Sequence, residues 1–161
     1  SLKNVSIYSN VSVIPEQAFG NCKSLEKINI PSTVKSIGSY AFYNCSALTE
    51  LTLSKNITDI ANGAFYNCPN LTLYGYYDTV AESYAEQNNI PFVHLDKKVI
   101  SGDVNLDGKI DVNDVTLLQR YIAGESVLTD DAVKAADFNK DRIIDVIDAT
   151  AIQTFIAHGQ N

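Results

Sequence analysis

The sequence predicts an α+β chain of two domains, a solenoid of short β-strand repeats followed by a small all-α module. Apolar residues recur at one fixed interval in the first part of the chain, and two acidic twelve-residue segments resemble each other in the last part. The charge divides in the same way, because residues 1–101 carry a net charge of −1 and residues 102–161 a net charge of −6. A fixed period predicts a solenoid, and apolar residues at helical spacing behind each acidic segment predict the second domain.

Columns of matching residues define the repeat period. Each repeat contributes an isoleucine, an alanine–phenylalanine pair and an asparagine–cysteine pair. The clearest columns are Ile14, Ile37 and Ile60; Phe19, Phe42 and Phe65; and Cys22, Cys45 and Cys68. A single repeat cannot bury its apolar residues alone, but stacked neighbours can. We therefore expect the three phenylalanines to form an internal aromatic stack.

These repeats resemble the BspA-like leucine-rich repeat family over residues 1 to about 75. The resemblance implies a solenoid whose strands point alternate residues outward, available to an unknown protein or surface ligand. The outward positions are expected to be Ser6, Asn29, Thr52 and Gly75 in one column, and Asn4, Lys27, Glu50 and Leu73 in the other.

A helix and a strand are expected to cap the C-terminal end of the repeats. Thr79, with Glu82 following in the pattern of a capping box, predicts the start of a helix over residues 79–87. Residues 91–93 are expected to form a short final strand. The first domain is therefore placed at residues 1–95, with a short linker at residues 96–101.

The three cysteines fall in register, one per repeat. Stacking would bring adjacent ones to roughly the spacing of neighbouring strands, about 5 Å. We expect small core residues with free thiols, although a disulfide between two neighbours is the alternative.

The two acidic segments present oxygen-bearing side chains at alternate positions. Ca²⁺ takes about six to eight oxygen ligands, and loop positions 1, 3, 5, 7, 9 and 12 of an EF-hand supply them, position 7 through its backbone carbonyl. The first predicted set is Asp103, Asn105, Asp107, Lys109, Asp111 and Asp114. The second predicted set is Asp137, Asn139, Asp141, Ile143, Asp145 and Asp148. We therefore predict two EF-hand-like calcium loops and two bound Ca²⁺.

Two departures from the EF-hand pattern bear on affinity. Position 12 is aspartate rather than glutamate in both loops, and position 6 is Gly108 in the first loop but Arg142 in the second. A non-glycine residue at positive φ costs about 1 kcal/mol or more, so the second site is expected to be weaker. Ile110 and Ile144, at position 8, are expected to pair the loops across a short ladder.

A helical pattern follows each loop, and Thr129 is expected to begin a short middle helix. This arrangement resembles the type I dockerin family over residues 101–159 and places an all-α dockerin domain at residues 102–161. The Ser-Thr pair of clostridial dockerins is missing, so the sequence is more similar to divergent ruminococcal members. The resemblance implies a cohesin module of a scaffoldin as partner, in an extracellular cellulosome of an anaerobic bacterium.

The same resemblance implies a partner-binding surface at loop positions 10 and 11 and on the helices behind them. Its residues are Val112, Asn113, Gln119, Arg120, Val146, Ile147, Thr150, Gln153, Thr154 and His158. Because Val146–Ile147 is apolar where Val112–Asn113 is half polar, we expect a single binding mode dominated by one half. Internal packing of Val146 and Ile147 is the alternative.

Composition and motifs exclude several classes of function. The acidity argues against nucleic acid as a partner, and no apolar run in the sequence is long enough to insert across a membrane. Neither histidine, His94 or His158, belongs to a catalytic motif, so we expect no enzyme activity. The chain has no methionine and starts within a repeat, so we expect it to be a piece of a longer secreted protein.

Three functions are compatible with the sequence. The favoured one is a non-catalytic protein anchored to a scaffoldin by its dockerin, with repeats that recognise a protein or a surface. The second is the targeting portion of a cellulosomal enzyme whose catalytic domain lies upstream. The third is a carbohydrate-binding component, for which an aromatic patch is a candidate, formed by Tyr43, Tyr66, Tyr74, Tyr76 and Tyr77. Packing of these tyrosines on the cap and the edge of the repeats is the alternative, and the absence of tryptophan favours it.

Overall fold

The computed structural model describes residues 2–159 and divides into two compact units, Ser1–Lys97 and Lys98–Asn161. The first unit holds these strands and helix among its described residues: β1 Asn4–Ser6, β2 Val13–Ile14, β3 Lys27–Asn29, β4 Ser36–Ile37, β5 Glu50–Thr52, β6 Asp59–Ile60, β7 Thr72–Gly75, α1 Val80–Gln87 and β8 Phe92–His94. The second unit holds the helices α2 Val112–Ile122, α3 Asp130–Ala136 and α4 Val146–His158.

Parallel pairing at the repeat period builds the first unit. β1 pairs with β3, β2 with β4 and then β6, and β5 with β7 and then β8. Asn4 lies opposite Lys27, and Ile14 opposite Ile37, so each partner is the equivalent residue of the next repeat. The unit is therefore a solenoid-like stack, as the repeat period predicts.

The phenylalanine column forms the predicted internal stack. Phe42 is fully buried, and its ring centroid lies 5.2 Å from those of both Phe19 and Phe65. Phe19 is half-buried and stacks on Phe42. Each turn therefore buries its apolar residues against the next one.

A ladder of asparagines and thiols runs beside this stack. Asn21, Asn44 and Asn67 have φ of 62°, 62° and 59°, a left-handed conformation that asparagine tolerates better than most residues. Asn44 Nδ2 donates to Asn21 Oδ1 at 3.0 Å, and Asn67 Nδ2 to Asn44 Oδ1 at 2.6 Å. The cysteines are free thiols; the Sγ of Cys45 lies 3.2 Å from the carbonyl oxygen of Phe19.

The last repeat is one residue short, which corrects the predicted outward columns. Glu50 lies opposite Thr72 rather than Leu73, and Thr52 lies opposite Tyr74 rather than Gly75. A slip of one residue sends every side chain to the other face. Leu73 and Gly75, predicted to face outward, are therefore buried. A Cβ on Gly75 would lie 2.7 Å from Phe92 Cζ, so any larger residue would have to displace the ring.

The predicted cap is present. Thr79 is the N-cap of α1 and accepts a hydrogen bond from Glu82 N at 3.3 Å, while Glu82 Oε2 accepts one from Asp78 N at 2.7 Å. β8 pairs with β7, and Tyr84 of α1 packs edge-on against Phe65 with ring centroids 5.8 Å apart. The cap thus closes the C-terminal end of the apolar columns.

In the second unit, α2 packs against α4, and α3 starts at the predicted N-cap, Thr129. The core of this unit holds Val104, Val115, Leu118, Ala136, Ala149 and Ile152. The predicted ladder is wrong, because neither Ile110 nor Ile144 lies in a strand. Both side chains are instead half-buried against this core, so apolar packing fixes them without a ladder.

Candidate metal loops and docking surface

The two acidic segments form equivalent loops that end on helices. Asp111 is the N-cap of α2, and the side chain of Asp114 accepts a hydrogen bond from Asp111 N at 2.8 Å, which completes a capping box. Asp145 and Asp148 form the same capping box at the start of α4. The carboxylates predicted at ligand positions 9 and 12 therefore also fix where the helices begin.

Backbone amides hold the first loop together. Asp103 is 3% exposed, and its two carboxylate oxygens accept hydrogen bonds from Asp107 N at 3.0 Å and Gly108 N at 2.9 Å. Asn105 Oδ1 accepts from Asp107 N at 2.9 Å, and Asp107 Oδ1 accepts from Lys109 N at 3.0 Å. The predicted side-chain ligands thus lie together over one short stretch of backbone.

The second loop repeats this pattern with one difference. Asp148 is fully buried and accepts hydrogen bonds from Phe138 N at 2.9 Å and Asn139 N at 3.1 Å. Asp137 Oδ2 accepts one from Arg142 N at 3.1 Å. Asp137 Oδ1 is buried and accepts none. A buried acceptor without a donor costs about 1–3 kcal/mol, and a cation would satisfy this oxygen.

The backbone at loop position 6 has the positive φ that the EF-hand pattern predicts. Gly108 has φ of 90° and Arg142 has φ of 69°. Position 4 is also left-handed in both loops, with φ of 60° at Leu106 and 62° at Lys140. The two loops therefore share one backbone path, and Arg142 adopts it with a Cβ that glycine lacks.

The fit of Ca²⁺ to these loops rests on donor chemistry. Among residues 2–159, no group of three or more His, Cys, Asp or Glu side chains is arranged as a metal centre. The carboxylates instead accept backbone N–H groups, as above. The donor set consists of hard oxygen atoms, which Ca²⁺ prefers, and Asp137 Oδ1 has no competing donor. The residues present therefore suit a calcium ion.

The residues predicted to contact a partner all lie at the surface of α2 and α4. Val112, Val146 and Ile147 are 67%, 63% and 57% exposed. The other seven predicted residues are also exposed: Asn113, Gln119, Arg120, Thr150, Gln153, Thr154 and His158. Val146 and Ile147 are therefore available to a partner, and internal packing does not account for them.

The two halves have the same pattern of burial but different surfaces. Each residue from 112 to 123 has the same degree of burial as the residue at the equivalent position in 146–157. Asn113 is equivalent to Ile147, and Lys109 to Ile143, which is 60% exposed. The backbone is thus duplicated, whereas the second half presents more apolar surface.

Local hydrogen bonds engage several of these side chains. Thr150 Oγ1 donates to Val146 O at 2.7 Å, and Thr154 Oγ1 donates to Thr150 O at 2.8 Å. Thr116 was not predicted from the sequence, although it is equivalent to Thr150, equally exposed, and donates to Val112 O at 2.8 Å. Applying the offset between the two loops to the helices behind them would have found it.

A shallow groove of about 200 Å³ lies between α2 and α4. It brings together Val112 and Gln119 from the first half with Gln153 and Ile156 from the second. Arg120 lies near Glu125, 3.8 Å from Nε to Oε2, and His158 Nδ1 lies 2.7 Å from Thr154 O. The predicted surface therefore extends along both helices.

The tyrosines considered as a sugar platform are divided among separate contacts. Tyr43 stacks on Tyr66 at 6.0 Å between centroids, and Tyr77 stacks on His94 at 3.6 Å. Lys55 Nζ lies 4.8 Å from the ring centroid of Tyr76. Tyr74 lines the outward face of the strands. These contacts distribute the tyrosines over different parts of the unit.

Comparisons with known proteins agree with both resemblances. A family model described as BspA type leucine-rich repeat region, in six copies, matches residues 1–99. A second, described as type I dockerin domain, matches residues 101–157. No curated protein and no solved structure matches the chain. Both matched modules are non-catalytic.

Proposed function

Because this chain belongs to the BspA-type leucine-rich repeat family and carries a type I dockerin domain, we propose that it is a non-catalytic cellulosomal component that docks on a cohesin in a calcium-dependent manner. The dockerin supports cohesin binding and cellulosome anchoring. The calcium step rests on one observation, the buried Asp137 Oδ1 that accepts no hydrogen bond.

Two ions are proposed, one in each loop. The residues that would hold them are the two predicted sets: Asp103, Asn105, Asp107, Lys109, Asp111 and Asp114; and Asp137, Asn139, Asp141, Ile143, Asp145 and Asp148. Each Ca²⁺ would supply positive charge among carboxylates that otherwise repel one another. Asp111 and Asp145 cap α2 and α4, so ligation of these loops acts directly on the helix starts. Calcium binding is therefore proposed to stabilise the docking surface.

Docking is proposed to use mainly the second half of the module. Val146 and Ile147 form an exposed apolar pair at the start of α4, whereas Asn113 replaces the isoleucine in the first half. Apolar side chains that become buried on binding add affinity roughly in proportion to the apolar area removed from water. A binding mode rotated by half a turn, so that the two halves exchange places, would replace Ile147 with Asn113. The two modes would therefore differ in affinity.

The domain boundaries and location follow from the same proposal. We place the repeats and cap at residues 1–95, a linker at residues 96–101 and the dockerin at residues 102–161, outside the cell on a scaffoldin. In the part of the chain that the structure describes, no helix has the length and apolar character to cross a membrane. The repeats are proposed to recognise a protein or a surface.

Calorimetric titration against a panel of cohesins, in Ca²⁺ and then in EDTA, tests the docking role. We expect tight binding to at least one cohesin that disappears in EDTA. Asp103→Ala and Asp137→Ala should lower calcium affinity and cohesin affinity together. Asp131→Ala is the matched control, because Asp131 is an exposed carboxylate outside the loops, 3.0 Å from Lys134 Nζ. Cohesin binding that survives both loop substitutions would contradict the calcium coupling.

A further inference from the structure

The outward face of the strands forms an open groove of about 610 Å³. β1, β3, β5 and β7 each point side chains toward it, because alternate strand residues share a face. The polar side chains that line it are Asn4, Ser6, Lys27, Asn29, Thr49, Glu50 and Thr52, and Tyr74 stands beside them on β7. Val5, Ile28 and Ile30 also line the groove, so aliphatic groups lie among its amides, hydroxyls, one ammonium, one carboxylate and one aromatic ring.

The strands hold these groups at fixed spacing. Paired strands lie about 4.8 Å apart; β1 pairs with β3, and β5 pairs with β7 in a second sheet. Parallel pairing sets the register at Asn4–Lys27 and at Thr52–Tyr74. A ligand would therefore meet donors and acceptors that are already placed, with little ordering cost on the protein side.

The charge of the groove favours a neutral ligand. Among the residues that line it, Lys27 and Glu50 are the ones charged at neutral pH, and their charges cancel. An anionic polymer would meet Glu50, and a cationic one would meet Lys27. A neutral ligand rich in hydroxyl groups can both accept from Lys27 and donate to Glu50.

The composition of the groove also argues against a protein partner at this face. Protein interface cores are enriched in aromatic residues, methionine and arginine and depleted in lysine, glutamate and serine. Ser6, Lys27 and Glu50 belong to the depleted group, and a single aromatic ring, Tyr74, belongs to the enriched one. The binding hot spots that a protein partner needs are therefore scarce here.

Tyr74 faces the groove because the last repeat is one residue shorter than the others, which places it opposite Thr52. On its other side it lies opposite Val93 of β8, which is 42% exposed. One end of the polar groove therefore carries an apolar strip. A flat sugar ring can place its apolar face on such a surface while its hydroxyls reach the polar columns.

We infer that this groove binds a neutral glycan chain, with Tyr74 as the stacking surface and Asn29, Thr52, Lys27 and Glu50 as hydrogen-bonding partners. This inference rests on the proposed recognition role of the repeats and, of the two ligands proposed there, takes the surface, with a neutral glycan as the group recognised. It does not depend on docking, because every group it uses lies in the repeat unit. The glycan proposal and the cohesin proposal can therefore fail separately.

Affinity electrophoresis of the full chain tests the inference. Native gels would contain hydroxyethylcellulose, xyloglucan or galactomannan as neutral glycans, polygalacturonate as an anionic one, and gelatin as a polypeptide. We expect retardation by at least one neutral glycan and none by polygalacturonate. Tyr74→Ala should weaken that binding about tenfold, and Asn29→Ala should weaken it as well, with circular dichroism unchanged in both variants.

Tyr66→Ala is the matched control, because Tyr66 is 63% exposed and stacks on Tyr43 rather than lining the groove. It should leave glycan binding unchanged. Retardation lost in Tyr66→Ala but kept in Tyr74→Ala would overturn the inference and move the site to the Tyr43–Tyr66 pair. No retardation by any neutral glycan would also overturn it, and retardation by gelatin alone would replace the glycan with a polypeptide.

Discussion

One substitution made at two equivalent positions tests the single docking face most directly. Val112 and Val146 are the first residues of α2 and α4 and are 67% and 63% exposed. Changing either to aspartate removes the same apolar side chain. It also adds a carboxylate to the first helical turn, where the helix dipole favours it in both cases. Effects on folding are therefore matched, and the two variants differ in which half they alter.

The expected magnitude follows from exposure. Fully burying a valine is worth about 1.5–3 kcal/mol. Val146 is 63% exposed. Burying this exposed part of the side chain on docking would contribute about 1–2 kcal/mol to the binding free energy. Losing this contribution weakens cohesin binding roughly 5–30-fold, and desolvation of the new carboxylate weakens it further. Because docking is proposed to use mainly the second half, Val112→Asp should weaken binding less than about twofold, the size expected of an ordinary surface change.

Both variants would be titrated with the same cohesin in Ca²⁺, and their calcium stoichiometry measured to show that the loops are intact. Ile147→Asp against Asn113→Asp repeats the comparison at the next position of each helix. Equal losses from Val112→Asp and Val146→Asp would refute the single-face reasoning, because they would mean that both halves meet the partner.

Three further predictions concern stability and reactivity. Arg142→Gly should raise the free energy of unfolding by about 0.5–1 kcal/mol and Gly108→Arg should lower it, since both positions have positive φ. Urea denaturation measures both changes. If both substitutions shifted the free energy of unfolding in the same direction, the strain argument would be contradicted. Phe42→Ala should cost about 3–5 kcal/mol in the same assay and Phe19→Ala less, because Phe42 is fully buried between two rings and Phe19 is half-buried beside one. A hydrogen bond with the thiol of Cys68, together with burial, raises the pKa of Cys45. Iodoacetamide should therefore alkylate Cys45 only in the unfolded chain. Peptide mass mapping after labelling in mildly alkaline buffer checks this, and rapid labelling of Cys45 in the folded chain would contradict it.

The sequence was sufficient for the repeats but not for the register of the last strand. Identical residues at fixed spacing predicted the Phe42 stack, and a capping pattern predicted the helix after Thr79. The periodicity does not reveal the deletion after Leu71, because Leu71 still matches its column. The strand that follows Leu71 is nevertheless paired one residue earlier than the period predicts. Leu73 was therefore predicted to face outward, although it is fully buried. The register of the last strand follows the burial of Leu73, not the spacing of the earlier repeats.

The loops illustrate the same limit at the candidate metal site. Ligand spacing and the left-handed conformation at Arg142 could be predicted, because both follow from the EF-hand pattern. The capping role of Asp111 and Asp145 was not predicted. A short acidic side chain before a helix suits a cap as well as a cation, and the sequence pattern for the two roles is the same. The orphaned Asp137 Oδ1 is a property of three-dimensional packing alone.

The shortened last repeat has a consequence for how such a protein can change its length. The cap, through β8 and Phe92, fits this shorter turn, in which Gly75 leaves room for the aromatic ring. A standard turn duplicated before it keeps its register with both neighbours. A standard turn placed after it would put a side chain like that of Leu53 where Gly75 leaves room for Phe92. Recombination can therefore lengthen or shorten the array on the N-terminal side, while the final turn and its cap are inherited together as one adaptor.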